Sequence, residues 1–134
     1  MTATAAEDLR DYLVTANVVN TAVAFVGALP STPDIALATL VYGGDAPVRA
    51  MGDRNVVERV EYVQILVRGA RDGYAAAATV MEAVYSALAG KINVTVGSHV
   101  YDQIVPTSAP LQLLSDNNGR PVFSLNVETW RRGL

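Results

Sequence analysis

Cysteine is absent from this chain of 134 residues. Disulfide stapling, thiolate catalysis and cysteine-ligated zinc are therefore excluded. Histidine occurs once, at His99. Acid–base or metal work by a lone imidazole needs a carboxylate, a nucleophile or further ligands beside it. Its place next to Gly97-Ser98 predicts a solvent-exposed side chain at a turn, and Ser98 has no Gly-x-Ser-x-Gly surround that would make it a nucleophile. Gly43-Gly44-Asp45 is too short to cradle a phosphate and no Lys-Ser/Thr follows it. Charge is scarce, at 17% of residues, and the net charge of −3 offers no field to attract nucleic acid or an anionic membrane. No apolar run approaches the roughly 20 residues that span a bilayer. The start Met1-Thr2-Ala3-Thr4-Ala5-Ala6-Glu7-Asp8 lacks the basic and apolar regions of a secretory signal, so a soluble intracellular product is expected. The absences together predict a protein that is no enzyme and holds no cofactor and no metal.

What remains is mostly aliphatic. Half the residues are apolar (51%), with Ala and Val prominent. Either surface is reserved for neighbouring subunits or the composition reflects genomic base bias. The length suits one domain, residues 1–134, able to bury roughly two-thirds of its unfolded surface.

Thr4 and Glu7 have capping-box spacing, which opens a helix over Ala5 to Ala16 with Leu9, Tyr12, Leu13 and Ala16 on its inner stripe. Glu7, Asp8, Arg10, Asp11 and Thr15 form the wet side. Strands are expected over Ala22 to Val26 and Ile35 to Tyr42, followed by a long loop, Gly43 to Asn55. Val56 to Arg68 is the strongest strand, with Val63, Ile65 and Val67 on one face; its length requires a bulge or a projecting N-terminal half. Asp72 is the expected N-cap of a second helix that ends at Gly90, with Tyr74, Ala77, Ala78, Met81, Val84, Tyr85 and Leu88 inward. Ile92 to Val96 and His99 to Val105 flank a hairpin turn at Gly97-Ser98. Pro106 and Pro110 mark an edge or crossover. Leu111 to Leu114 and Val122 to Trp130 then form a closing hairpin around Asn118-Gly119, with Phe123, Leu125 and Val127 facing a core on one side only. The economical packing is an α+β two-layer sandwich: a largely antiparallel mixed sheet with two helices packed on one face.

Candidate functional positions are surfaces. The outward side of the second helix carries Ala75, Ala76, Thr79, Glu82, Ala83 and Ser86, either padding by a good helix former or a flat side that another subunit's backbone can approach. The loop residues Arg49, Met51 and Arg54 are candidate partner contacts. Arg59, Arg68 and Arg71 extend that basic run, as solvated strand ends or as the lining of a passage for DNA. Arg59 and Glu61 share a strand face and are expected to form a surface ion pair. Asp8 and Asp11 are expected to face water.

An ordered set of segments resembles a known family. Val63-Gln64-Ile65-Leu66-Val67-Arg68-Gly69-Ala70-Arg71-Asp72-Gly73-Tyr74-Ala75-Ala76-Ala77 leads into Met81-Glu82-Ala83-Val84-Tyr85-Ser86-Ala87-Leu88. Asp116-Asn117-Asn118-Gly119-Arg120 later precedes Val122-Phe123-Ser124-Leu125-Asn126-Val127-Glu128. With Asp8 to Leu13 and the Leu29-Pro30 to Gly44 region, this is similar to the minor capsid or tail-terminator proteins of long-tailed phages. The resemblance implies a homo-hexameric ring in the virion neck, assembled in the host cytoplasm. It would cap the head-proximal end of the tail tube, stop polymerisation and dock the tail to the head connector. Tail-tube and head–tail connector proteins are the implied partners, with DNA only passing through the lumen and no membrane. The family has no catalytic residues to carry over. Two other readings stay open: a head-completion or stopper ring, and a dimeric small-molecule-sensing domain.

Overall fold

The computed structural model describes residues 4–44, 48–49, 56–113 and 115–132. Helix α1 spans Ala5–Thr15, and the Thr4 hydroxyl caps it by accepting the Glu7 N–H at 3.2 Å. A short 3-10 turn, Thr21–Val23, leads into β1 (Ala24–Val26). Strands β2 (Ala36–Gly44), β3 (Val48–Arg49) and β4 (Val56–Arg68) follow, then helix α2 (Tyr74–Leu88). Strands β5 (Lys91–Val96), β6 (His99–Pro106), β7 (Leu111–Leu113) and β8 (Val122–Arg132) complete the order.

The strands form one sheet in the order β1-β2-β4-β8-β6-β5, antiparallel except for the parallel β1–β2 pair. β2 and β3 lie end to end along one edge of β4, and β6 and β7 lie end to end along one edge of β8. The Pro106 to Pro110 interruption thus separates two strands that pair with the same neighbour. Both helices pack on one face, which makes the α+β two-layer architecture expected from the sequence. α1 touches β1 and β2 at one end of the strand order and β5 at the other. The sheet therefore curls around it. Leu9 and Leu13 of α1, Met81, Val84 and Leu88 of α2, and Val63, Ile65, Leu125 and Val127 of the central strands are fully buried between the layers.

The long strand runs in unbroken register with β8 from Glu58 to Arg68. It carries a bulge near its N-terminal end, where two of its residues advance against one of β3. That end does not project, because β3 and β8 flank it. The Gly43–Asn55 segment is shorter as a loop than expected: β2 continues through Gly44 and β3 pairs with β4.

Three local expectations need correction. Asp72 takes φ +60° in a turn closed by the Gly73 N–H donating to Ala70 O at 2.8 Å, so Gly73 becomes the N-cap and no side chain caps α2. Asn118 is not in a left-handed conformation. The final reversal is longer than a two-residue turn: the Asp116 carboxylate accepts the N–H groups of Asn118 and Arg120, each at 2.9 Å, and Gly119 alone has positive φ. Finally, the helix-free face of β8 is not wholly wet, since Val122 and Ser124 are buried. By contrast, Gly97-Ser98 forms the expected two-residue turn, with Gly97 at φ +59° in the first loop position that a type II′ turn requires. Gly90 is left-handed just past α2, as a C′ residue should be.

Gly69 marks where three elements converge. Its N–H donates to Pro121 O at 2.9 Å, and a Cβ placed there would lie 2.9 Å from both the Ala77 Cβ and the Gly73 carbonyl oxygen. Gly69→Ala is expected to destabilise the chain by about 1–3 kcal/mol, read as a lower urea midpoint at constant m-value.

Candidate functional site

The outward side of α2 is as the helical spacing predicts: Ala75, Ala76, Thr79 and Ala83 are all exposed, together with Glu82 and Ser86. The Thr79 hydroxyl donates to the Ala75 carbonyl at 2.9 Å, so its polar atom folds back onto its own helix. What projects is a row of methyl groups with one carboxylate, from Glu82, and one hydroxyl, from Ser86. Arg49 lies on β3, while Met51 and Arg54 fall outside the described residues. β3 pairs with the N-terminal end of β4, whereas α2 starts just past its C-terminal end. The backbone of Arg49 and the outward side of α2 therefore lie towards opposite ends of a strand roughly 40 Å long.

The sheet ends in two unlike borders. β5 is an edge strand whose Ile92 is the most exposed large apolar residue among those described, at 68%. At the other end, beside β1 and β2, an apolar pocket of about 180 Å³ is lined by Val18, Val19, Val23, Ile35, Leu37 and Val80, with Asn20, Ala36 and Val67. A wider cleft of about 570 Å³ runs between α1 and the β5–β6 turn, bordered by Asp8, Asp11, Tyr12, Thr15, Thr95 and Gly97.

Beneath that cleft lies a polar cluster that sequence reasoning missed. Asp8 is buried, and its Oδ2 accepts from the Tyr101 hydroxyl at 2.5 Å and meets His99 Nδ1 at 2.8 Å. The expectation of a wet Asp8 fails because the curled sheet meets α1 on its flanks as well as beneath it. His99 is buried rather than exposed because the β5–β6 hairpin folds back against α1. Burial first, then the bond to Asp8, pushes the Tyr101 phenol far above its usual pKa of 10.0, so it stays a neutral donor. Tyr101 is the cross-strand partner of Arg131, which donates to Glu61 Oε1 at 2.9 Å. Glu61 thus pairs across strands with Arg131 instead of along its own strand with Arg59. Among the described residues, no group of three or more His, Asp or Glu side chains is placed to hold a metal ion.

A second buried polar node ties the closing turn to the loop before β2. Arg120 donates to Asp116 at 2.7 Å, to the Ser31 carbonyl at 2.7 Å and to Asp34 Oδ1 at 3.1 Å. Arg68, 4% exposed, donates to the carbonyls of Asp34 and Pro33 at 2.8 and 2.6 Å. Burial, and next the neighbouring Arg120 charge, lowers the Arg68 pKa below its usual value. Both arginines are consumed in holding the chain segment that covers this end of the helix-free face, which leaves Arg68 unavailable to line a passage for DNA.

Residues 7–130 match the protein family described as bacteriophage tail terminator protein. The chain belongs to that family. It is a tail structural protein by that membership. A solved chain from the virion of a native gene transfer agent particle is similar in fold, with a TM-score of 0.62 and 19% identity over 95% of this chain and 90% of that one. No curated protein matches.

In this terminator family member the α2 surface was legible from helical spacing, whereas the Asp8–His99–Tyr101 cluster was not. The available signal was the i, i+2 placement of His99 and Tyr101 on one strand face, the same alternation that identifies a buried stripe. Removing the phenol oxygen would leave a buried carboxylate short of a donor. Tyr101→Phe is expected to cost about 1–3 kcal/mol in a urea melt, against a near-neutral Asp11→Asn on the exposed side of α1, the helix that carries Asp8.

The Arg120 backbone N–H, followed by its side chain and the Asn118 N–H, holds the Asp116 carboxyl below its ordinary value of 3.8. A depressed pKa contributes stability that is full above the unfolded value and disappears as pH falls through the folded one. The difference in melting temperature between the parent chain and Asp116→Ala is therefore expected to be steady near neutrality and to narrow below about pH 4.

Proposed function

We infer that this terminator works as one domain that closes head to tail into a hexameric ring on the head-proximal end of the tail tube. The ring ends tube polymerisation and docks the tail to the head connector proteins, with DNA passing through its lumen. It acts by shape and without catalysis, in the virion neck, after assembly in the host cytoplasm. The observation that carries this reading is the family match over residues 7–130. The exposed methyl face of α2 and the open sheet borders supply surfaces for it. A heterologous contact repeated through a fixed rotation closes a ring, and a closed ring ends growth when its outer face no longer fits the tube subunit.

Ala75, Ala76, Thr79 and Ala83 are one proposed contact surface, and Arg49, Met51 and Arg54 are another. Charges placed on a methyl face that packs against a partner must be desolvated, whereas on a free surface they cost almost nothing. An Ala76→Glu/Ala83→Glu chain is expected to keep its monomer stability within about 0.5 kcal/mol. It should also lose rings in native mass spectrometry and leave tails of uncontrolled length in electron micrographs of assembling particles. Tails of normal length with this variant would remove α2 from the interface. A chain that stays monomeric at high concentration and with tube protein present would remove the ring.

A further inference from the structure

We propose that neighbouring copies are joined by Ile92 of one entering the apolar pocket beside α2 of the next. This rests on the ring reading above and adds the contact that closes it. Ile92 stands 68% exposed on an edge strand whose outer backbone groups have no partner strand among the described residues. Sheet edges that must remain free are normally blunted, because an apolar open edge invites pairing with another chain. The pocket between α2, β2 and β4 has about 180 Å³ of room and an almost wholly aliphatic wall. A cavity of about 150 Å³ takes a benzene molecule, so one branched aliphatic side chain fits.

The surroundings of the two patches match. Val80 in the pocket wall sits at helical spacing from Ala76 and Ala83, both exposed, so a strand carrying the inserted side chain can lie close against α2 without meeting bulk. Lys91 precedes Ile92, and Asp34 precedes Ile35 at the pocket. Asp34 is 62% exposed and meets Arg120 through Oδ1 alone, which leaves carboxylate surface for an incoming ammonium. Knob and pocket are separate surfaces, Ile92 on β5 and the pocket lined from β2, β4, α2 and the segment 18–23, so one copy's knob fills the next copy's pocket and the contact propagates in one direction. That is the heterologous geometry from which rings are built; a twofold dimer would instead require both knob-and-pocket contacts to form between the same two copies.

The natural absence of cysteine makes the test clean. Ile92→Cys and Ile35→Cys chains, each at an exposed position, are prepared full length, mixed and oxidised under ring-forming conditions. Disulfide-linked dimers are expected in the mixture and in neither chain alone. In parallel, Ile92→Asp should raise the concentration at which rings form by at least about tenfold while leaving the monomer melting temperature unchanged. Linked dimers from Ile92→Cys alone, or Ile35→Cys linking to a single-cysteine tube protein in preference to Ile92→Cys, would overturn the assignment. So would rings that form undiminished in Ile92→Asp and without linkage in the mixture; in that case the ring itself stands and only this contact fails. Absence of rings from the parent chain, with or without tube protein, overturns the ring and the contact together.

Discussion

The pairing of β4 with β8 is the constraint on which everything else in this molecule hangs. Their register runs without a slip from Glu58↔Arg132 to Arg68↔Val122. A shift of one residue would turn Val63, Ile65 and Val67 away from the helices and expose the opposing Phe123, Leu125 and Val127 in the same stroke. Every other strand except the two outermost attaches to this pair: β2 and β3 to β4, β6 and β7 to β8. Irregularity is pushed outward, to bulges where β3 meets β4, where β2 leaves Val41 and where β6 passes Tyr101. Bulges increase local twist, which agrees with a sheet curled far enough for α1 to touch strands near both borders.

Curling explains the two buried polar nodes. A helix lying in a trough is enclosed along its flanks, so Asp8 loses its water and needs Tyr101 and His99 as partners. At the other end the concave arrangement leaves the helix-free face of the sheet open, and the segment before β2 folds across it, held by guanidinium donors from Arg68 and Arg120. Both nodes use charge or strong dipoles to hold distant elements in position. The surfaces proposed for contact with neighbours lie elsewhere, in the methyl face of α2, the Ile92 edge and the pocket between α2 and the first strands.

The alternation in Val63 to Val67 and Phe123 to Val127, the helical stripe of Met81, Val84 and Leu88, the Thr4 cap and the Gly97 turn were all legible in the sequence. Each depends on neighbours a few residues away and on a period set by backbone geometry. The exposed row Ala75, Ala76, Thr79 and Ala83 was legible for the same reason, as the complement of a buried stripe. The fates of Asp8, His99, Glu61, Arg68 and Arg120 were not. Apart from the Arg120–Asp116 pair, their partners lie far off in the chain, at separations such as 91 residues for Asp8 and His99, and no local pattern distinguishes a solvated charge from one that finds a distant donor. Asp72 failed as a cap for a nearer reason: the Ala70–Gly73 turn took its backbone into the left-handed region before the helix could begin.

By itself, then, the sequence determined the elements, their inward faces and the two-layer architecture, because local periodicity and composition are enough for those. Only the tertiary structure decided how far the sheet curls, which charges are buried and which strand borders stay open. Those depend on register and twist accumulated over eight strands, and such long-range sums leave no mark on any short stretch of residues.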